Sequence, residues 1–215
     1  MSAAALEYSA LNKPVLAAIP SSARRILDVG CGTGELGRVI KERQEAEVVG
    51  LTFSAAEAGR AKTVLDSVVE MDLNCFNADG LGSFDCIVCS HVLEHLSWPE
   101  ETLRRLNPML NPEGRLVVAL PNIVVWRQRL KLLFGEFRYT NGGLMDRTHF
   151  RFFDWESARR LVEDAGFRVV ETFADGEFPL ARYFPGGRYL SRAAVGLSPG
   201  LFGWQFIIVG TVESP

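Results

Sequence analysis

Apolar and polar positions in this chain switch repeatedly between two spacings. Short, nearly continuous apolar runs occur at "RRILDVG", "AEVVGLTF", "VVEMDLN", "FDCIVCS", "GRLVVALPN", "FRVVE" and "WQFIIVGTV". Each has the length and the β-branched content of a buried strand. Between them lie segments with apolar residues three and four apart, the spacing of a helix with one buried face. These are "GELGRVIKERQ", "SAAEAGRAKTVL", the stretch after "SWPEE" with Leu103, Leu106 and Leu110 on one side, and "IVVWRQRLKLLF", which Gly135 can end. A last helix is expected to start from an Asp154 cap and run to Ala165 and Gly166. Ser97 and Glu100 have capping-box spacing before Pro99, and Trp126, Leu130 and Phe134 form an apolar stripe on their helix. Strands alternating with helices predict a doubly wound α/β fold, with a mainly parallel sheet covered on both faces. No internal repeat or low-complexity linker divides the chain, so residues 1–215 are expected to form one domain.

In such sheets ligands bind at the carboxyl ends of the strands, near the reversal of strand order. The first strand runs into "DVGCGTGELG", a turn made almost entirely of backbone. Glycine lets the main chain approach a bound molecule, and the helix that follows presents free N–H groups to an anion. Gly32, Gly34 and Gly37 spell GxGxxG, which also occurs in dinucleotide-binding proteins. Two features argue against a nicotinamide cofactor. Asp28 stands inside the strand end, where it can accept from an amine or a water, and the second strand ends in Thr52 rather than an acid for the ribose.

Composition narrows the picture further. The chain has 215 residues, is 47% hydrophobic and 23% charged, and has a net charge of −3. That balance gives no electrostatic footprint for nucleic acid or for acidic membranes. No apolar run approaches a membrane span, and "MSAAALEYSALNK" lacks the charged-then-apolar pattern of a signal peptide, so a cytoplasmic location is expected. Cys86 and Cys89 have CxxC spacing, but on a strand they point to opposite faces. All four cysteines are expected to be reduced and mostly packed.

"ILDVGCGTGELG" resembles the first motif of the class I S-adenosylmethionine-dependent methyltransferases, with Asp28, Gly30, Gly32 and Gly34 in register. "EMDLN", "FDCIVCSHVLEHL" and "LNPMLNPEGRLVVALPN" extend the resemblance in the right order. It implies a Rossmann-like seven-stranded sheet with an antiparallel last strand. It also implies S-adenosylmethionine as cofactor, with the glycine turn, including Cys31, around the methionine moiety and Asp28 toward its amino group. By the same resemblance Asp72 and Leu73 face the adenine, and Phe53 and Ser90 line the crevice. Thr52 stands where the family usually carries the ribose-binding acid. Tyr8, on a helical cap spanning residues 1–24, is a candidate to close over the carboxylate.

The acceptor side is read from "HVLEHL" and "MDRTHFRFF". His91, Glu94 and His95 at offsets zero, three and four would share one face of a helical turn, with His149 arriving downstream. In ubiquinone-pathway and small-RNA methyltransferases an ExxEH segment holds a divalent cation. That resemblance implies His91, Glu94, His95 and His149 as a ligand set suited to zinc, iron or manganese. The reading preferred here assigns no metal and makes His95 or His149 a general base, since an imidazole is matched to proton transfer at neutral pH.

The later segments resemble methyltransferase-like proteins related to the methionine-biosynthesis W group and methyltransferases acting on sugars in polysaccharide pathways. Residues 123–153 and 178–203 are expected as acceptor-side insertions. Arg127, Arg129 and Lys131, with Arg147 and Arg151, suggest a lid reaching an anionic acceptor. Tyr183, Phe184 and Tyr189 with Arg182, Arg188 and Arg192 could rest on a membrane surface, but the preferred expectation is that they pack over the active site. The expected function is O-methylation of a small polar acceptor such as a sugar, with a homodimer left open. A nonenzymatic, cofactor-binding activator of a partner enzyme is the alternative.

Overall fold

In the structure, a computed structural model that describes residues 11–78, 80–183 and 185–212, the apolar runs become seven strands of one sheet. In chain order the elements are α1 (Lys13–Ala18), β1 (Arg25–Val29), α2 (Glu35–Arg43), β2 (Glu47–Thr52), α3 (Ala55–Ala61), β3 (Ser67–Glu70) and β4 (Phe84–Ser90). There follow α4 (Pro99–Leu106), β5 (Leu110–Pro121), α5 (Trp126–Leu133), α6 (Trp155–Asp164), β6 (Phe167–Gly176), α7 (Gly187–Leu197), α8 (Pro199–Phe202) and β7 (Gly203–Val212). The strand order is β3-β2-β1-β4-β5-β7-β6. Neighbours from β3 to β5 pair in parallel, and β7 runs antiparallel between β5 and β6. This is the expected sheet with its last strand reversed.

Alternation along the central strands divides the core in two. Leu27, Val29, Ile87, Cys89, Leu116 and Val118 pack on one face with Leu103 and Leu106 of α4 and Leu161 of α6. Ile26, Val48, Cys86, Val88 and Val117 pack on the other with Val15 of α1, Ile40 of α2 and Ala61 of α3. Cys86 and Cys89 therefore lie on opposite faces, and all four cysteines are free thiols, Cys75 exposed and the others buried. Burial of apolar area on both faces is the main favourable contribution to folding. It also fixes the register that brings the ends of β1, β2, β4 and β5 to one edge. Gly50 on β2, the register partner of Asp28, lets the glycine turn fold back onto the sheet. A Cβ there would lie 2.6 Å from Cys31 Sγ.

Two local expectations are corrected. The cap of α4 is Trp98, with no side-chain hydrogen bond, and not Ser97. Ser97 N donates instead to Asn74 Oδ1 at 2.9 Å, and its carbonyl accepts from Arg151. The Trp126–Leu130–Phe134 stripe is not a packed face either. Gln128 is the buried residue of α5, and Leu130 and Phe134 are exposed. The helix has little protein to bury against, so its apolar side remains outward.

Asp154 caps α6 as expected, in a box with Ser157 whose two side chains each take the other's backbone N–H. Asp154→Ala is expected to cost about 1 kcal/mol, read as a lower melting temperature. An unchanged melting temperature would show that the cap contributes nothing.

Candidate functional site

Strand order reverses between β1 and β4, so a crevice opens at their carboxyl ends. The turn leaving β1 holds Gly30, Gly32 and Gly34 at φ of 79°, 53° and 86°. These are left-handed conformations that side chains resist. At Gly32 a Cβ would meet no atom within 4 Å, so the backbone there borders open space. Gly34 then begins α2 as a cap without a side-chain hydrogen bond.

Asp28 is buried beneath this turn, and its Oδ2 has no hydrogen-bond partner among the described residues. Burial alone pushes its pKa up to about 7. A buried carboxylate held this way calls for a cationic or N–H-bearing ligand. The neighbouring Cys31 thiol is pushed up to about 12, by burial first and then by the charges of Asp28 and Glu57. It is a packed group rather than a nucleophile.

At the end of β2 the buried Thr52 hydroxyl donates to Glu57 Oε2 at 2.9 Å and accepts from Ser54 N at 3.3 Å. Ser54 and Glu57 have capping-box spacing, and Ser54 Oγ does accept from Glu57 N. The Glu57 carboxylate, however, turns to Thr52 and sets a negative charge at the strand end that lacks an acid. The capping pattern hides this role in the sequence. Phe53 follows, 75% exposed on the crevice rim. Asp72 caps the short turn Leu73–Cys75, its Oδ1 accepting from Asn74 N and Nδ2, while Leu73 is buried. Tyr8 lies outside the described residues.

Beyond β4 the sequence motif is divided between two roles. Only Leu93–His95 form a helical turn, and His91 has a left-handed φ of 52°. The single face expected for His91, Glu94 and His95 is therefore replaced by a bend at His91. Its Nε2 lies 2.8 Å from Gln205 Oε1 and its Nδ1 3.3 Å from Glu94 Oε1. Gln205 is oriented by Asn12: Asn12 Nδ2 donates to Gln205 Oε1 at 2.8 Å, and Gln205 Nε2 donates to Asn12 Oδ1 and Asp175 Oδ2. Asn12 Nδ2 also reaches Ser90 Oγ at 3.4 Å. Both His91 nitrogens thus face acceptors. Burial works to lower its pKa, but the bonds to Glu94 and Gln205 and the Glu94 charge outweigh that and hold it above the ordinary value. A lone glutamine in the apolar run "WQFIIVG" is the signal by which Gln205 could have been found.

Glu94, His95 and His149 converge, each offering a ligand atom within 4.8 Å of the others. The segments carrying them are tied by the Glu94 carbonyl, which accepts from Phe150 N at 2.8 Å and Arg151 N at 3.1 Å. Glu94 is buried with Oε2 unpartnered among the described residues. The His95 and His149 rings meet edge-on with centroids 4.7 Å apart. His149 Nδ1 faces the Leu144 carbonyl at 3.2 Å, so it carries the proton and leaves Nε2 with the lone pair. Thr148 Oγ1 donates to Asp146 Oδ1 at 2.7 Å and therefore accepts from His95 Nδ1 at 3.0 Å. Asp146 and Thr148, unremarked in the sequence, thereby set the ring of His95. Burial first, and the neighbouring His95 next, hold the His149 pKa below 6.5, against the opposing pull of Glu94. A cavity of about 580 Å³ adjoins His149 and is walled by Tyr139, Phe150, Phe152 and Arg147. A larger one of about 1020 Å³ lies between β6 and α7, lined by Trp155, Asp175, Arg192 and Trp204. It is linked to His91 through Asp175 and Gln205. The smaller cavity borders the imidazoles.

A family model described as a methyltransferase domain matches residues 5–172. The ubiquinone biosynthesis O-methyltransferase of Neisseria meningitidis is 28% identical over 106 residues, which cover 46% of this chain and 44% of that relative. The chain thus spans less than half the length of that relative. The malonyl-[acyl-carrier protein] O-methyltransferase of Geobacter sulfurreducens is 28% identical over 182 residues, covering 79% of this chain and 68% of the relative. Among solved structures, the magnesium protoporphyrin IX methyltransferase of Synechocystis with bound SAH superposes with a TM-score of 0.64 at 17% identity. That match covers 94% of this chain and 81% of that one, and it supports the fold. None of these three descriptions names a sugar.

The Asp28 geometry makes a stability prediction. Its folded-state pKa lies above the ordinary carboxyl value of 3.8, so the folded chain holds more protons between about pH 4 and 7. Stability is then lost as pH rises through that window. Asp28→Asn is expected to raise the melting temperature of the ligand-free protein at pH 8, by up to about 4 kcal/mol of stability, and much less near pH 4. A lower melting temperature at pH 8 would mean that the carboxylate has a stabilising partner.

Proposed function

The chain belongs to the methyltransferase-domain family, and from that premise we propose that it transfers a methyl group from S-adenosylmethionine to a hydroxyl of a small polar acceptor. One observation carries the reading. The crevice with the unpartnered Asp28 oxygen and the open Gly32 backbone lies at the same sheet edge as the His95–His149 pair.

The residues present fit the cofactor. Asp28 Oδ2 is an acceptor for an ammonium group, and the Gly30–Gly34 backbone leaves room for a methionine moiety. Glu57, set by Thr52, replaces the missing strand-end acid as acceptor for the ribose hydroxyls. Phe53, Asp72, Leu73 and Ser90 line the adenine and crevice side, as the family resemblance implies, and the same resemblance assigns Tyr8 to the carboxylate. When bound, S-adenosylmethionine supplies a methyl group already activated by its sulfonium. The chain's work is alignment, exclusion of water and removal of one proton. Alignment of this kind can supply roughly 7–11 kcal/mol of a barrier.

His149 Nε2 takes the acceptor proton, and burial keeps it unprotonated at neutral pH. His95 stands beside it as second base. Glu94 and His91 position the pair, one through its carboxylate and the other by holding that carboxylate. The aromatic walls and Arg147 of the adjoining cavity fit a hydroxyl compound that also carries an anionic group. A sugar phosphate and a phenolic acid both meet that description. The convergence of Glu94, His95 and His149 favours a second reading, in which the three hold a divalent cation that acidifies the acceptor. A pure binding module has no need of paired imidazoles, which weighs against a nonenzymatic activator.

With labelled methyl donor and a panel of acidic hydroxyl acceptors, His149→Ala is expected to lower kcat by roughly 10²–10⁴-fold. The wild-type rate is expected to stay on its plateau to below pH 6.5, because His149 titrates below that value. Full activity in both His149→Ala and His95→Ala would remove the base. Activity is expected to survive chelation and dialysis, whereas loss restored by zinc or manganese would establish the cation reading. Glu57→Gln is expected to weaken S-adenosylhomocysteine binding about tenfold or more, the value of one charge-assisted hydrogen bond. Unchanged affinity would place the ribose elsewhere.

A further inference from the structure

Exposed large apolar side chains are concentrated in two segments. Among the described residues, all but Phe53, Trp98 and Val170 lie between Leu130 and Phe150 or between Leu180 and Leu197. Leu133 is 76% exposed, Phe134 78% and Leu197 88%, values far from those of a packed helix face. Tyr183 and Tyr189, expected over the active site, also point outward. Helix α7 instead packs through Ala194 and Val195, with Ser191 Oγ accepting from Phe178 N.

The two segments leave the sheet at one edge. The first follows β5, and the second joins the end of β6 to the start of β7, beside β5. Asn122 Nδ2 ties them together by donating to the carbonyls of Gly200 and Gly203 at 2.9 and 2.8 Å, and Arg127 lies over the Trp204 ring at 5.0 Å. This is also the edge that carries the His95–His149 pair and its cavity.

Charge on these segments opposes that of the rest. Residues 126–151 and 178–203 hold nine arginines and lysines and two acids, in a chain of net charge −3. Helices α5 and α7 contain cations and no acid. In α2, α4 and α6, by contrast, arginines pair with acids one turn away. Exposed apolar side chains set among an excess of cations are the signature of an interfacial surface. A second copy would bring like charge against like charge. Nucleic acid would match the charge but gives aliphatic Leu133 and Leu197 no apolar phase to enter.

We propose that this face docks on an anionic lipid bilayer, with Leu133, Phe134 and Leu197 entering the acyl boundary and the arginines meeting lipid phosphates. The methyl-transfer edge is then turned toward the membrane. This docking is independent of the methyl-transfer reading, although the two together describe an acceptor presented at a lipid surface.

The full chain is sedimented with vesicles of phosphatidylcholine alone and of phosphatidylcholine with about one-third phosphatidylglycerol, a lipid that gives the anionic surface potential required. Binding to the anionic vesicles is expected to exceed that to the neutral ones by roughly tenfold, and to weaken in high salt. A Leu133→Ser/Phe134→Ser variant and, separately, Arg129→Glu/Lys131→Glu are each expected to lose most of it. The substituted side chains are exposed, and unchanged melting temperature and S-adenosylhomocysteine titration verify that folding and the cofactor crevice are intact. Equal sedimentation with both vesicle types, or none with either, overturns the proposal. So does a dimer that the serine variant dissociates, or binding to single-stranded DNA as strong as to anionic vesicles. Failure of vesicle binding with intact S-adenosylhomocysteine binding removes the docking surface and leaves the methyl-transfer reading standing.

Discussion

A carboxylate buried at the end of β1 with one oxygen unpaired constrains the whole crevice. Solvation that Asp28 has lost must be returned by something, and no described side chain returns it to Oδ2. The chain tolerates this because the surrounding sheet is packed on both faces and holds β1 in register with β2 and β4. Polar groups buried without partners are concentrated where a ligand completes them. The glycine turn above Asp28 follows the same logic, since its backbone is exposed to the crevice only while no side chain fills the space.

The second half of the site depends on tautomers rather than on bare proximity. Leu144 O and Thr148 each fix an Nδ1–H, so His149 and His95 direct their Nε2 atoms to chemistry. Further back, the Asn12 and Gln205 amides orient the His91 imidazole, which lies against the Glu94 carboxylate. Removing any link frees a ring or a carboxylate to rotate. The cost is expected in alignment more than in affinity.

The sheet was legible because buried parallel strands are written as apolar runs, and all seven runs became strands. The glycine turn was equally plain. Roles that depend on long-range partners were not. Glu57 reads as half a capping box, and only the folded chain turns its side chain to Thr52. His91 reads as one face of a helical turn, but the backbone bends there and sends the ring to β7. In α5 the periodicity was visible, yet periodicity cannot say whether an apolar face meets protein or something outside it. That ambiguity became an observation once Leu130 and Phe134 were found exposed.

The central claim is that the β1–β4 crevice binds the cofactor of methyl transfer, and titration calorimetry of the wild-type chain tests it most directly. With S-adenosylhomocysteine and NAD as separate titrants, saturable one-to-one binding is expected for the first and no heat for the second. No binding of S-adenosylhomocysteine, or tighter binding of NAD, would contradict the account.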